Sequence, residues 1–512
     1  MVDWGYNGYA TLAIIFFFLS MFAFIFPLIF DRKSEQRPLP PGPIPWPLVG
    51  NLPELWRNKP AFRWIHGLMK ELNTEIACLR LASVHVITVT SPEIAREFLK
   101  EYDSVFASRP LTMATEYSTH GFKTIALVPW SDHWKKMRKV VASNVINPTT
   151  LHWLLNKRTE EADNLVRFIR NQSEKSTSVV DMRLAIHQYC GNVIRKMIFN
   201  KRYFGKGSND GGPGVEEVEH VESLWSLLTH IYAFAVSDYI PCLRVLDLDG
   251  HEKIVSKAMR IINSYEEPII NERVEQWREG KKKEAEDLLD TLILAKDSNG
   301  EPALSDLILA SVDNPANNVE WVLSEMLNQP EVLKKAVDEI DRVVGKKRWV
   351  QESDIPELNY VKACAREGYR LHPVAPFNLP HVSMQDMTVA GYFIPKGSHV
   401  LLSRYGLGRN PRVWEDPLKF NPERHLIKKE VNLTENELRF ISFSTGRRAC
   451  MGVQLGTLVN VMLLARLLQG FSWSFPPNMD EIDLFESIND LSKAKPLHAR
   501  AKPRLGPELY PA

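Results

Sequence analysis

Cysteine is scarce in this chain and nowhere clustered. The five cysteines, Cys78, Cys190, Cys242, Cys364 and Cys450, are odd in number and form no Cys-x-x-Cys pair. That spacing argues against a disulfide scaffold and a clustered zinc site, and it fits a reducing compartment. Excess charge of one sign is also missing. The 63 Lys+Arg stand against 62 Asp+Glu, a formal net charge of +1, so no global electrostatic pull toward nucleic acid exists. Internal repeats of fixed period are absent from the body, which argues against a chain of modules. What the 512 residues do have is apolar surface, 44% hydrophobic and 10% aromatic. That is too much for a disordered chain and enough for a large core.

One long stretch lacks charge altogether. Between Trp4 and Phe30 no side chain is ionised, and residues 9–30 are apolar throughout most of their length. Such a run is long enough to cross a bilayer as a helix. Asp31, Arg32, Lys33 and Arg37 follow it, while Asp3 is the only charged side chain before it. The positive-inside rule then predicts a luminal N-terminus over residues 1–8, a transmembrane anchor over 9–30 and a cytosolic remainder. A cleaved signal peptide is the rival reading, but it needs a shorter apolar core with a basic region in front. Residues 31–50 are basic and proline-rich, with Pro38, Pro40, Pro41, Pro43, Pro45 and Pro47. They read as a hinge, either a stiff polyproline spacer or a generic linker.

The body, residues 51–512, reads as one large, mainly α domain with a minor β-sheet. Residues 75–81 and 83–90 carry strand composition. Ser91-Pro92-Glu93 opens a helix, with Ser91 as its cap. Helical periodicity marks residues 157–171, 215–234, 251–278, 285–296, 319–328, 330–344 and 360–371. Residues 388–397 suggest a hairpin, and the glycines between Gly205 and Gly214 a surface loop.

The sharpest local feature is Phe443-Ser444-Thr445-Gly446-Arg447-Arg448-Ala449-Cys450-Met451-Gly452, placed directly before an apolar helix from about Val453. A lone cysteine is usually an inert core residue. Here glycines let backbone approach a flat ligand, the helix N-terminus favours a thiolate, and arginine can meet a carboxylate. Thiolate, carboxylates and an apolar face together suit haem. The decapeptide resembles the haem-binding signature of the cytochrome P-450 monooxygenases, Phe-x-x-Gly-x-Arg-x-Cys-x-Gly. The resemblance implies a haem-thiolate fold shaped as a triangular helical prism, with one N-terminal transmembrane helix. It implies that Cys450 is the axial ligand of the iron of haem b (iron protoporphyrin IX), that Arg448 contacts a propionate, and that Phe443, Gly446 and Gly452 shape the loop.

Other segments resemble the same family. Glu367 and Arg370, one helical turn apart, together with Arg424 in Phe420-Asn421-Pro422-Glu423-Arg424-His425, match its buried charge triad; without that context an i,i+3 pair would be commonplace. Trp134 and Arg138 match a Trp-x-x-x-Arg helix that meets a propionate. His381 falls where a propionate-binding basic residue is usual, or is a surface-loop histidine. Lys135, Lys136 and Lys139 form either a plain solvated face or a docking patch for a flavoprotein reductase.

Over the iron, most of the family has Ala-Gly-x-Asp-Thr. This chain has Ala310-Ser311-Val312-Asp313-Asn314-Pro315-Ala316-Asn317, with Asn314 in the threonine position. Asp313, Asn314 and Asn317 are the candidate catalytic residues. Pro315 lacks an N–H, so the helix is expected to kink where Ser311 loses its partner. Asn-Pro-Ala-Asn, Pro-Glu-Arg-His and residues 58–66 and 376–381 resemble the plant amino-acid N-hydroxylases, the phenylalanine-using branch in particular.

That resemblance implies two successive N-hydroxylations of an L-amino acid, each with O2 and electrons from NADPH through the flavins of a cytochrome P-450 reductase. Loss of water and carbon dioxide then leaves an aldoxime. The implied location is the endoplasmic reticulum membrane, single-pass, with the catalytic domain cytosolic. Tyrosine, tryptophan or an aliphatic or chain-extended amino acid are alternative substrates. Phe122, Phe377 and Phe485 are candidate walls of the substrate pocket, and Arg109 is a carboxylate partner or a structural residue.

Two departures stand out. The subfamily carries about nine more residues between Ser305 and Ala310, which would shorten the distal helix here by about 13 Å and admits an inactive haem protein as a second reading. Gly368 and Ala449 replace Ala and Gly. Gly368 is expected to cost up to about 1 kcal/mol, and Ala449 more only if its φ is positive.

Overall fold

The computed structural model describes residues 38–119, 125–175, 178–295, 313–427 and 430–511. Helices dominate, and the sheets are small. Strands β1 (Ile76–Leu81) and β2 (Val84–Val89) form an antiparallel pair, as their β-branched composition predicts. Further along come β3 (Val179–Asp181), β4 (His381–Val382), β5 (Met387–Val389), β6 (Tyr392–Ile394), β7 (His399–Leu402), β8 (Phe471–Ser474) and β9 (His498–Pro503). The main sheet has the order β1-β2-β7-β4, β5 and β6 make the expected hairpin, and β3-β9-β8 form a second sheet. The last of these, with its strands far apart in sequence, carries no local signal. The proline-rich segment lies along the main sheet: Cys78 N donates to the Pro41 carbonyl at 2.8 Å and Asn51 N to the Arg80 carbonyl at 2.5 Å.

Helix boundaries follow periodicity where one face is wet. His251–Arg278 and Pro330–Val343 form as the sequence predicts. Ser91 caps Pro92–Arg96 by accepting from Ile94 N at 3.3 Å, and the turn continues as a π-helix over Glu97–Glu101. Met182–Phe199 carries no such signal. It is buried on nearly every face, so no polar stripe marks it.

The distal helix, Asp313–Asn328, and the helix Asn359–Leu371 pack against each other, and both are almost entirely buried. The kink expected at Pro315 depends on Ser311, which lies outside the described residues, as does the shortened stretch before it. The expected penalty at Gly368 is reversed by packing. A Cβ there would come 2.3 Å from Asn318 Oδ1 and 2.4 Å from Val322 Cγ2 on the distal helix. Asn318 is held by donating to Ala365 O and Asn460 Oδ1, so it cannot swing aside freely. Gly368→Ala should gain about 1 kcal/mol of helix propensity and lose about 1–3 kcal/mol to overpacking. Urea unfolding should therefore show a net destabilisation. Ala449 has no positive φ, so it carries no strain.

The fold class needs one correction. The sequence places the single membrane-spanning helix at the N-terminus. Among the described residues, the one helix long and apolar enough to cross a membrane is Val453–Gly470, near the C-terminus. Residues 9–30 lie outside the described residues. Length and hydropathy register apolarity and not its surroundings. This helix passes that test while 67% of its apolar window is buried inside the protein, in the largest hydrophobic cluster.

Candidate active site

The loop before Val453 is built by backbone. Cys450 N donates to the Phe443 carbonyl at 2.8 Å and Ala449 N to the Gly446 carbonyl at 3.0 Å. Gly446 has φ 74, and a Cβ on it would meet the Leu99 carbonyl at 2.4 Å; only glycine fits that turn. Asp103 braces the loop from outside, accepting from Arg447 N (3.1 Å) and Arg447 Nη1 (2.8 Å). Cys450 is exposed on one side and enclosed by protein on the others. Enclosure raises its thiol, while the Gly452 N–H and the charges of Arg404 and Arg138 pull it the other way. The exposed side leaves the sulfur open to a ligand.

Around this cysteine lies a group of buried cations without acids. Arg448 donates from Nε to the Ala107 carbonyl (2.6 Å) and from Nη2 to the Val128 carbonyl (2.8 Å), but its buried Nη1 has no partner. Arg109 Nη1 reaches the carbonyls of Leu379 and Pro380, and its buried Nε is likewise unpartnered. His381 is a buried strand residue and not a surface loop. Nδ1 meets the Phe106 carbonyl at 2.7 Å, and Nε2 is buried and unpartnered. Among the described residues, neither Arg109 nor Arg448 forms a salt bridge. Burial and mutual repulsion bring Arg448 down to about 9, and burial brings Arg109 down to about 10. Burial and the nearby Arg109 charge hold His381 well below its usual range; because Nδ1 donates to the Phe106 carbonyl, Nε2 can meet a carboxylate only once protonated, a form that an adjacent carboxylate would favour. Buried donors without acceptors are costly. A flat ligand with two carboxylates would satisfy them, so the residues present fit haem.

Trp134 and Arg138 sit on Asp132–Asn144. Arg138 Nη1 donates to the Ala449 carbonyl at 3.2 Å, next to Cys450. The Trp134 N–H instead meets the Ile125 carbonyl at 3.0 Å, and its ring lies under the Arg448 guanidinium. Trp130, Lys135, Lys139 and Arg447 complete a shallow surface recess of about 430 Å³ there.

Glu367, Arg370 and Arg424 come together. Arg370 grips Glu367 with two bonds, at 2.8 and 2.7 Å, and Arg424 Nε adds a third at 3.0 Å. The sequence reading missed a fourth member, His425, whose Nε2 meets Glu367 Oε2 at 2.7 Å. Its signal was available, since it directly follows Arg424. Burial alone would raise the Glu367 carboxyl. Hydrogen bonds from Arg370 and His425, and their charges, overcome that and hold it at about 2.

On the distal helix, Asn317 is buried with Nδ2 toward the His372 carbonyl at 3.4 Å, and Asn314 is half-buried. The side chain of Asp313 and all of Phe122 lie outside the described residues. Phe377 is stacked on His66 at 5.6 Å, whereas Phe485 is 76% exposed and walls no interior site.

A glycine-bent cysteine loop, buried arginines without acids beside it and a buried carboxylate cluster fit a haem-thiolate monooxygenase. The cytochrome P450 family model matches residues 40–499, and the chain belongs to that family. It is 62% identical to a phenylalanine N-monooxygenase of Arabidopsis thaliana, over 92% of each chain. To a tryptophan N-monooxygenase of Prunus mume it is 60% identical over 96% of each. A tyrosine N-monooxygenase of Sorghum bicolor is 56% identical, over 93% of this chain and 88% of the relative. A zebra fish cytochrome P450 solved with progesterone has the same fold, with TM-score 0.71 and 23% identity, covering 87% of this chain and all of that one.

Proposed function

We propose that the protein N-hydroxylates an L-amino acid twice and yields its aldoxime, with phenylalanine favoured. One observation carries the reading: the exposed side of Cys450 stands beside buried, acid-free arginines, in a chain 62% identical to a phenylalanine N-monooxygenase. Bound haem supplies dioxygen activation at a thiolate-ligated iron. Cys450 would hold its iron, and Arg448 and Arg138, with His381 and Arg109 beside them, would hold its propionates; Trp134 lies against the Arg448 guanidinium and supports it. Glu367, Arg370 and Arg424 fix the loops that frame the site.

Asn314 and Asn317, on the distal helix, are assigned to the distal side of the site, with Asp313 joined to them by its place in the sequence. An amide both donates and accepts, but it cannot relay a proton as a hydroxyl does. In this chain Asn314 and Asn317 therefore orient substrate or water, and proton delivery falls to water or Asp313. The basic recess at Lys135, Lys139 and Arg447 suits docking of the acidic face of a reductase that brings electrons from NADPH through flavins.

We place the protein at the endoplasmic reticulum membrane with residues 51–512 as a cytosolic catalytic body. Exposed Val245, Leu246, Trp46 and Trp56 support a membrane-facing side. Tyr239 and Ile240, just before the first two, share a cluster with Leu52 and Leu55, so these exposed groups belong to neighbouring segments.

Purified protein with full haem occupancy, reductase and NADPH should convert phenylalanine to phenylacetaldoxime faster than it converts tyrosine, tryptophan, valine or isoleucine. Preference for another amino acid would reassign the substrate. No aldoxime from any of them would sink the proposal.

A further inference from the structure

The Pro376–Leu379 segment and the Cys450 loop are joined by a short run of side-chain hydrogen bonds that neither the triad nor the propionate cradle uses. Arg404 Nη2 donates to Asn378 Oδ1 at 3.2 Å, and Asn378 Nδ2 donates to Ser444 Oγ at 3.1 Å. A guanidinium offers no acceptor, so the Asn378 carbonyl must face Arg404 and its NH2 must face Ser444. The amide orientation is thereby fixed by chemistry. Asn378 is buried, and its backbone N–H donates to the Leu402 carbonyl at 2.8 Å, at the end of β7, two residues before Arg404. Donor, relay and strand are thus one rigid unit.

Ser444, at the far end, has φ 60. That is left-handed backbone, which a non-glycine residue holds only when its surroundings insist. Its neighbour Phe443 provides the carbonyl that accepts from Cys450 N. The turn at Ser444 therefore sets the direction from which the cysteine enters the site. Arg404 itself is half-buried, its buried Nε has no partner, and among the described residues it pairs with no acid. Cys450 and Tyr369 are the groups whose charge favours its protonated form, in keeping with a place against the sulfur.

We propose that Asn378, oriented by Arg404, is a positioning residue that locks Ser444 in its left-handed conformation and so fixes the bearing of Cys450 toward the iron. The inference rests on the haem-thiolate reading of the loop. It assigns Asn378 a task on the thiolate side, beyond lining a substrate pocket.

The test uses the full-length holoprotein and follows the thiolate-type Soret band of the reduced carbon-monoxide complex during incubation in mild urea. Asn378→Leu and Ser444→Ala should each lose that band about five- to tenfold faster than the parent, the effect of one buried hydrogen bond. Ser444→Gly also lacks the hydroxyl, but glycine adopts positive φ without cost, so its rate should return to within about twofold of the parent. In the Ser444→Gly background, Asn378→Leu should then change little. Parent-like rates for Asn378→Leu and Ser444→Ala would overturn the proposal. So would an Asn378→Leu effect that persists undiminished beside Gly at 444, because Asn378 would then be acting elsewhere. A parent protein with no thiolate-type band would instead count against the haem-thiolate reading itself.

Discussion

Replacing Cys450 with serine is expected to abolish the thiolate-type band of the reduced carbon-monoxide complex. Aldoxime formation should fall by at least about a thousandfold, roughly 4 kcal/mol in barrier height. A serine hydroxyl stays protonated at neutral pH and donates far less electron density than a thiolate, whose push favours O–O cleavage. The fold should survive, because the loop is held by main-chain bonds: Cys450 N to the Phe443 carbonyl and Ala449 N to the Gly446 carbonyl. Far-UV circular dichroism should accordingly match the parent. A serine variant that kept both band and turnover would remove Cys450 from the site.

The second large effect lies away from the iron. Glu367 and Arg370 have side chains of 0% exposure, and Arg424 and His425 converge on the same carboxylate. Glu367→Gln keeps the shape and removes the charge, leaving two arginines facing a neutral amide. Breaking one side of a buried pair typically costs about 3–5 kcal/mol, and a chain with ordinary stability of about 5–15 kcal/mol would barely tolerate it. Urea unfolding at pH 7 should register that loss.

The pH dependence has a defined sign. The folded carboxyl is held at about 2 against an ordinary value of 4.5. Its stabilising contribution is therefore complete above the ordinary value and declines as pH falls toward 2. The gap between parent and Glu367→Gln should narrow through that acidic window and stay constant above it. A gap under about 1 kcal/mol at pH 7 would mean that the cluster is not an energetic keystone.

Legibility in the sequence followed the solvent. Helices with one wet face, such as His251–Arg278 and Pro330–Val343, show in the spacing of their apolar residues. Met182–Phe199 is surrounded by protein, so polar and apolar residues alike are buried and the period disappears. The same blindness explains the membrane-length helix Val453–Gly470, whose apolarity serves the core. In the site, the cysteine loop and Glu367 with Arg370 were readable because each is a short local pattern. Asp103 on Arg447, and Arg404 with Asn378 on Ser444, join residues far apart in the chain and leave no spacing to detect.

The sequence by itself determined the local patterns that carry the family resemblance: a cysteine between glycines at a helix start, arginine two positions before it, and a Glu-x-x-Arg turn upstream. Such patterns are local because backbone geometry over a few residues dictates them. Tertiary structure alone decided which buried arginines lack acids, that Gly368 is needed for two helices to touch, and which amide supports the turn before the thiolate. Those depend on what lies across the fold, and a buried group's energy is set by its neighbours in space and not by those in the chain.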